Sequence, residues 1–162
     1  MGVAVIMGSM SDYPKVEAAI NVLKKFEVNV DVRCFSAHRT PDELCSFVKE
    51  TEENGTEAII AAAGMAAALP GVIASKTVLP VIGLPISGSV LDGMDALLSI
   101  VQMPPGIPVA TVAINGAKNA AYLALQIIAN KHDDVKKKLV LDREEMKKAV
   151  LEANEKLINE NK

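Results

Sequence analysis

The sequence predicts an α/β fold, a doubly wound parallel sheet with helices on both faces. Three observations predict it. Short apolar runs rich in Val, Ile and Ala alternate with longer stretches whose apolar residues recur at helical spacing. The runs are nearly continuous in apolar character, as strands buried on both faces must be. The breaks between runs and helices are short, which suits strand–helix–strand crossovers.

The elements follow in order. "VAVIM" (3–7) is a buried strand that runs into the turn "GSMSD". "YPKVEAAINVLKKF" then has Val16, Ala19, Ile20 and Leu23 on one helical face, with Pro14 in the first turn and Asp12 as the candidate N-cap. "VNVDVRC" (28–34) alternates, as a strand near a sheet edge does. "PDELCSFVKETEEN" (41–54) opens with Thr40 as N-cap and Glu43 three residues on, the pattern of a capping box, and Gly55 closes it. "EAIIAAA" (57–63) is the third strand and "LPGVIASKT" the helix after it. "PVIGLP" (80–85), "DGMDALLSIVQ" (92–102), "PVATVAI" (108–114) and "AKNAAYLALQIIANK" supply the fourth strand, a helix, the fifth strand and a helix. Five strands with short loops suit a flavodoxin-like order, 2-1-3-4-5, in which ligands bind beyond the carboxyl ends of the strands, at the switch between strands one and three.

From about Asp133 the chain changes character. It reads as one long charged helix with a thin apolar stripe of Val135, Leu139, Met146, Val150 and Leu157. Such a stripe needs a surface to cover it, and a neighbouring subunit is the expected one. The 162 residues are read as one domain (1–162), with 133–162 as that helix. Half the residues are hydrophobic and only 3% aromatic, so Ala, Val, Ile and Leu must build the core. A mean hydropathy of +0.25 points the same way as the stripe, towards surfaces shared between copies.

Composition also excludes. The net charge of −3 and the acids interrupting "KHDDVKKK" leave no nucleic-acid footprint. The apolar stretch 58–74 contains Gly64, Pro70 and Gly71 and is short for a membrane span, so no membrane partner is expected. The opening "MGVAVIMGS" reads as a strand and not as a secretory leader, and the two cysteines, Cys34 and Cys45, are expected to be buried and reduced in a cytoplasmic protein. With neither HxxxH nor CxxC, no metal is expected.

The unusual polar clusters fall at predicted strand ends: "GSMSD", "SAHRTP", "GMAAALPG" and "SGSVLDG". Loops at one edge of a sheet can form one pocket. Ser9 and Ser11, with the amides of a helix start, suit a phosphate; a plain capping turn is the other reading of the same residues. Asp12 suits ribose hydroxyls. Ser36 and Arg39 can complete a phosphate site, because a guanidinium offers a rigid donor fork. His38 is the one side chain of the set whose type ordinarily titrates near neutrality, which suits a proton carrier.

The segments "MGSMSD", "SAHRTP", "AAALPGVIAS", "LDGMDALLSIVQMPPGIPVATVAI" and "KNAAYLALQI" together resemble the N5-carboxyaminoimidazole ribonucleotide mutase family, the catalytic subunit of phosphoribosylaminoimidazole carboxylase in de novo purine (IMP) biosynthesis. The resemblance runs from residue 3 to about residue 150. It implies a flavodoxin-like three-layer fold and a cytoplasmic homo-octamer in which the C-terminal helix rests on neighbouring subunits. It also implies an isomerase that needs no cofactor and passes through trapped carbon dioxide. Ser9, Ser11, Ser36 and Arg39 would hold the nucleotide phosphate and Asp12 the ribose. Gly64, Ala66, Ala67, Ala68 and Leu69 would wall the imidazole ring and carbon dioxide, and His38 would be the general acid and base. A second branch of the family carboxylates aminoimidazole ribonucleotide directly; Arg39 and Pro41 favour the mutase branch. One departure stands out. The family reads "AAHLPG" where this chain reads "AAALPG", so Ala68 replaces a second active-site histidine, while Ala62 and Met65 replace common glycines. The expected consequence is intact phosphate and ribose binding with slower turnover. A non-catalytic nucleotide-binding relative and a flavin carrier are the rival readings, and the few aromatics disfavour the second.

Overall fold

The computed structural model describes residues 1–88 and 90–161. Five parallel strands form one sheet in the order β2-β1-β3-β4-β5. They are β1 (Gly2–Met7), β2 (Asn29–Cys34), β3 (Thr56–Gly64), β4 (Val81–Ile86) and β5 (Ala110–Thr111). The helices between them are α1 (Tyr13–Lys25), α2 (Pro41–Glu53), α3 (Ala68–Ala74) and α4 (Met94–Val101). α5 (Ala117–Ile128) and α6 (Asp133–Glu160) follow. This is the predicted flavodoxin-like order.

Side chains of successive strand residues point to opposite faces, so each central strand feeds two cores. Val3, Val5 and Met7 of β1, Ala58, Ile60 and Ala62 of β3, and Ile82, Leu84 and Ile86 of β4 join α1 and α5 in one core. Ala4 and Ile6, with Ile59, Ala61 and Ala63, join Leu44, Phe47, Leu69, Ile73 and Ile100 of α2, α3 and α4 in the other. The small residues set how close the helices lie. At Gly83 a Cβ would stand 2.3 Å from Ile100 Cγ2, so β4 accepts only glycine beneath α4.

Several local expectations are corrected. β5 keeps two residues in the ladder, not seven. The carbonyls of Gly83 and Pro85 accept from Val112 N (3.2 Å) and Asn115 N (2.8 Å), so this side of β4 faces β5. Pro85 brings no N–H to that side, and the regular ladder ends before it. Thr40 occupies the N-cap position of α2, but its hydroxyl turns back and donates to Ser36 O (3.2 Å), so no capping box forms. Asp12 precedes α1 without a side-chain cap bond. α3 ends at Ala74, three residues before the predicted boundary at Thr77. The cysteines are free, as expected, but not buried: Cys34 is exposed on the edge strand β2, and Cys45 is half-buried. Ser89 of the predicted loop after β4 lies outside the described residues.

α6 is rooted at its start. Val135 and Leu139 are buried, and the buried Asp142 accepts from Lys25 Nζ (2.5 Å) and Tyr122 Oη (2.7 Å). Lys138 adds an ion pair with Glu27. Beyond Asp142 the helix leaves the body, and residues 143–161 are all exposed. Met146, Val150 and Leu157 of the predicted stripe are 46%, 68% and 60% exposed, so nothing in this chain covers them. No helix among the described residues is long and apolar enough to cross a membrane.

Candidate active site

The loops after β1, β2, β3 and β4 meet in one cleft of about 800 Å³ at the carboxyl edge of the sheet. Every residue singled out from the sequence lines it: Ser9, Ser11 and Asp12; Ser36, His38 and Arg39; and Gly64, Ala66, Ala67, Ala68 and Leu69.

The β1 loop begins with the Gly8 amide donating to Ala62 O (3.2 Å), which carries the strand pairing one residue past β1. Ser9 is extended and caps a 3-10 turn over Met10–Asp12. Its Oγ accepts from the Ser11 amide (3.3 Å) and from Ser11 Oγ (2.8 Å), so its own proton remains to be donated. Asp12 stands at the junction with α1. Burial raises its carboxyl above the ordinary range, against the pull of the Lys15 charge and of hydrogen bonds from Ser11 and the Ser9 backbone.

The β2 loop is a tight turn that ends in α2. The Ser36 amide donates to Thr40 Oγ1 (2.9 Å), and Ser36 Oγ accepts from the amides of His38 (3.4 Å) and Arg39 (3.3 Å). Arg39 Nη2 donates to Gly8 O (3.3 Å), which draws this loop onto the β1 loop. Four predicted phosphate groups are thereby cross-braced before any ligand arrives. His38 sits within the same turn, and its ring is exposed.

The β3–α3 wall is apolar and shaped by its backbone. Met65 (φ 56°) and Ala67 (φ 38°) both adopt left-handed conformations without being glycine. Each costs on the order of 1 kcal/mol, and such strain gathers at functional loops. The Ala67 amide closes the turn on Gly64 O (3.0 Å), and Ala68 opens α3. A methyl group is therefore what position 68 presents to the cleft, where the family resemblance leads one to expect imidazole.

Two lining side chains were not singled out from the sequence, although Ser87 opens the predicted loop "SGSVLDG". Lys15, in the first turn of α1, sends Nζ to Ser87 O (2.7 Å) and Ser87 Oγ (3.1 Å). Ser87 follows β4 and is held from behind by Asn115. The visible signal was position: Lys15 lies three residues beyond Asp12, where a helical side chain can return to the same mouth. Among the described residues, no group of three or more His, Cys, Asp or Glu is placed to hold a metal ion.

Known proteins share this sequence and this fold. The profile of the family described as AIR carboxylase matches residues 2–149. An N5-carboxyaminoimidazole ribonucleotide mutase from Pyrococcus abyssi is 56% identical over 146 residues, covering 90% of this chain and 84% of its own. The protein of the same name from Methanocaldococcus jannaschii is 52% identical, covering 96% of each chain. The crystal structure of Treponema denticola PurE superposes with a TM-score of 0.88 at 30% identity, over 96% of this chain and 97% of its own.

Proposed function

The chain belongs to the AIR carboxylase family, and from that premise we propose that it is an N5-carboxyaminoimidazole ribonucleotide mutase, an isomerase of purine biosynthesis. The observation that supports the reading is that three loops, carrying the eleven residues named from the sequence and the family resemblance, line one cleft at the switch point of the sheet.

Ser9, Ser11, Ser36 and Arg39 take the nucleotide phosphate. Their mutual hydrogen bonds pre-pay the ordering that binding would otherwise cost. Asp12 accepts from the ribose hydroxyls. Protonated His38 gives its proton to the exocyclic nitrogen as the N–C bond of the carbamate breaks and carbon dioxide forms. The ring carbon, electron-rich like that of an enamine, then bonds to that carbon dioxide. Neutral His38 removes the ring proton, which restores aromaticity and returns the histidine to its starting state. The apolar wall from Gly64 to Leu69 excludes water while carbon dioxide is free. No proton, electron or carbon is gained or lost overall.

Ala68 favours a second reading beside this one: a nucleotide-binding relative in which turnover is slowed. Both readings meet one experiment, a spectroscopic assay of N5-carboxyaminoimidazole ribonucleotide conversion, run with and without bicarbonate. Conversion that does not depend on bicarbonate supports the mutase, and His38→Asn lowers it by roughly 10²- to 10⁴-fold. Ala68→His is expected to raise turnover without changing nucleotide affinity. Turnover equal in the chain and its Ala68→His form removes the second reading. Nucleotide binding with no turnover in either form removes the first. We further read α6 as the arm of a cytoplasmic homo-octamer, because its exposed apolar stripe has no cover within one chain. Light scattering of the purified protein, compared with a form ending at Arg143, tests that assembly.

A further inference from the structure

At the β4 side of the cleft, the side chains of Lys15 and Ser87 are left with hydrogens to donate and no lone pair to accept with. The Asn115 side chain faces Ser87 with a fixed orientation, because the Ser87 amide needs an acceptor and takes Asn115 Oδ1 (3.1 Å). Its Nδ2 therefore donates to Ser87 Oγ (2.8 Å). Lys15 Nζ donates to the same Oγ (3.1 Å). Both lone pairs of the hydroxyl are so occupied, and what Ser87 has left to offer is its proton. Lys15 spends a second N–H on Ser87 O (2.7 Å) and keeps a third. Gly88, at φ +128°, turns the chain away immediately after, a conformation that L side chains rarely adopt. Lys15, Ser87 and Gly88 all line the cleft.

This corner lies across the sheet from the phosphate cradle. Ser36 and Arg39 follow β2 and Ser9 follows β1, whereas Ser87 follows β4, with β3 between. One ammonium and one hydroxyl, both committed as donors, bond an anion more strongly than a neutral hydroxyl, and with the phosphate assigned to the cradle the carboxylate is the anion left for them. We propose that Lys15 and Ser87 form a second anion-recognising corner, which takes the carboxylate of the carboxylated nucleotide while the cradle holds its phosphate. The corner rests on the nucleotide reading above and sharpens it. It makes Lys15 a specificity residue that separates the carboxylated ribonucleotide from the uncarboxylated one.

Calorimetric titration tests this with two probes, aminoimidazole ribonucleotide and its 4-carboxylated form. Lys15→Met is expected to weaken the carboxylated nucleotide by about tenfold or more, the scale of one charge-assisted hydrogen bond, and to leave the uncarboxylated one within about twofold. Ser87→Ala shifts the same probe in the same direction by less, and Lys15→Arg recovers most of the loss. Equal weakening of both probes makes Lys15 a structural tie and overturns the corner alone. No change with either probe overturns it as well. Wild-type protein that binds neither nucleotide overturns the nucleotide reading and the corner together. Melting curves for each variant confirm that the folded protein is being titrated.

Discussion

On the β1–β2 side of the cleft, hydroxyls brace one another. Ser11 bonds Ser9, Ser36 collects the amides of His38 and Arg39, and Arg39 reaches Gly8. On the β3–α3 side, the lining is Gly, Met, Ala and Leu, and the shape is held by two left-handed residues, Met65 and Ala67. The first side spends polar chemistry to bind charge. The second spends backbone strain to make a dry wall. A substitution on the first side removes a bond from a network, whereas one on the second changes the space beside the reacting atoms. This is why Ala68, on the second side, is expected to slow chemistry and spare binding.

The largest separation of the two sides is expected from Arg39→Met. Loss of the guanidinium from the cradle should raise the KM for nucleotide by roughly 10- to 100-fold. It should change kcat far less, because the wall and His38 stay in place. A kcat that falls as far as KM rises would show that the cradle also positions the reacting ring.

Asp12→Asn comes next, and it trades function for stability. The folded carboxyl titrates above its ordinary range because of burial. Between the ordinary value of 3.8 and that raised value, the folded state holds more protons than the unfolded state. Stability therefore falls as pH rises through this window, and ionised Asp12 is a cost above it. The amide should melt higher than the acid at pH 7, with the difference shrinking as pH falls to the ordinary carboxylate range. Nucleotide affinity should drop by about threefold to tenfold as an acceptor is lost. Melting curves across pH, set beside a titration with nucleotide, check both halves.

The smallest effect is expected on the wall. Ala67→Gly relieves the strain of φ 38° at the start of α3, offset in part by the entropy that glycine brings to the unfolded chain. A gain of about 0.5 kcal/mol, or about 1 to 2 °C in Tm, is expected. Destabilisation instead would mean that the alanine methyl contributes more to the wall than its backbone costs.

Much of this site was legible before any fold was seen. Short continuous apolar runs and helical spacing locate the strands and helices, and parallel α/β topology sends the loops after β1, β2, β3 and β4 to the same edge. Ser9, Asp12, Ser36, His38 and Arg39 stand out because polar residues of those types interrupt apolar runs at those ends. Lys15 does not stand out, because a lysine in an amphipathic helix ordinarily faces water; its partner Ser87 is 72 positions away. The short β5 was also hidden. Pro85 reads as an ordinary strand residue until the sheet order shows that its missing N–H faces β5.

The amino-acid order by itself determined the strands, the helices, the order of the sheet and the residues gathered at its edge, because periodicity and turn chemistry are local properties that survive any packing. Tertiary structure alone decided which way the Thr40 hydroxyl turns, where the β5 ladder stops, how Lys15 and Ser87 share their protons, and how far α6 stands clear of the body. Each of these depends on a donor meeting an acceptor, or an apolar surface finding cover, between segments far apart in the chain, and only the folded geometry settles such pairings.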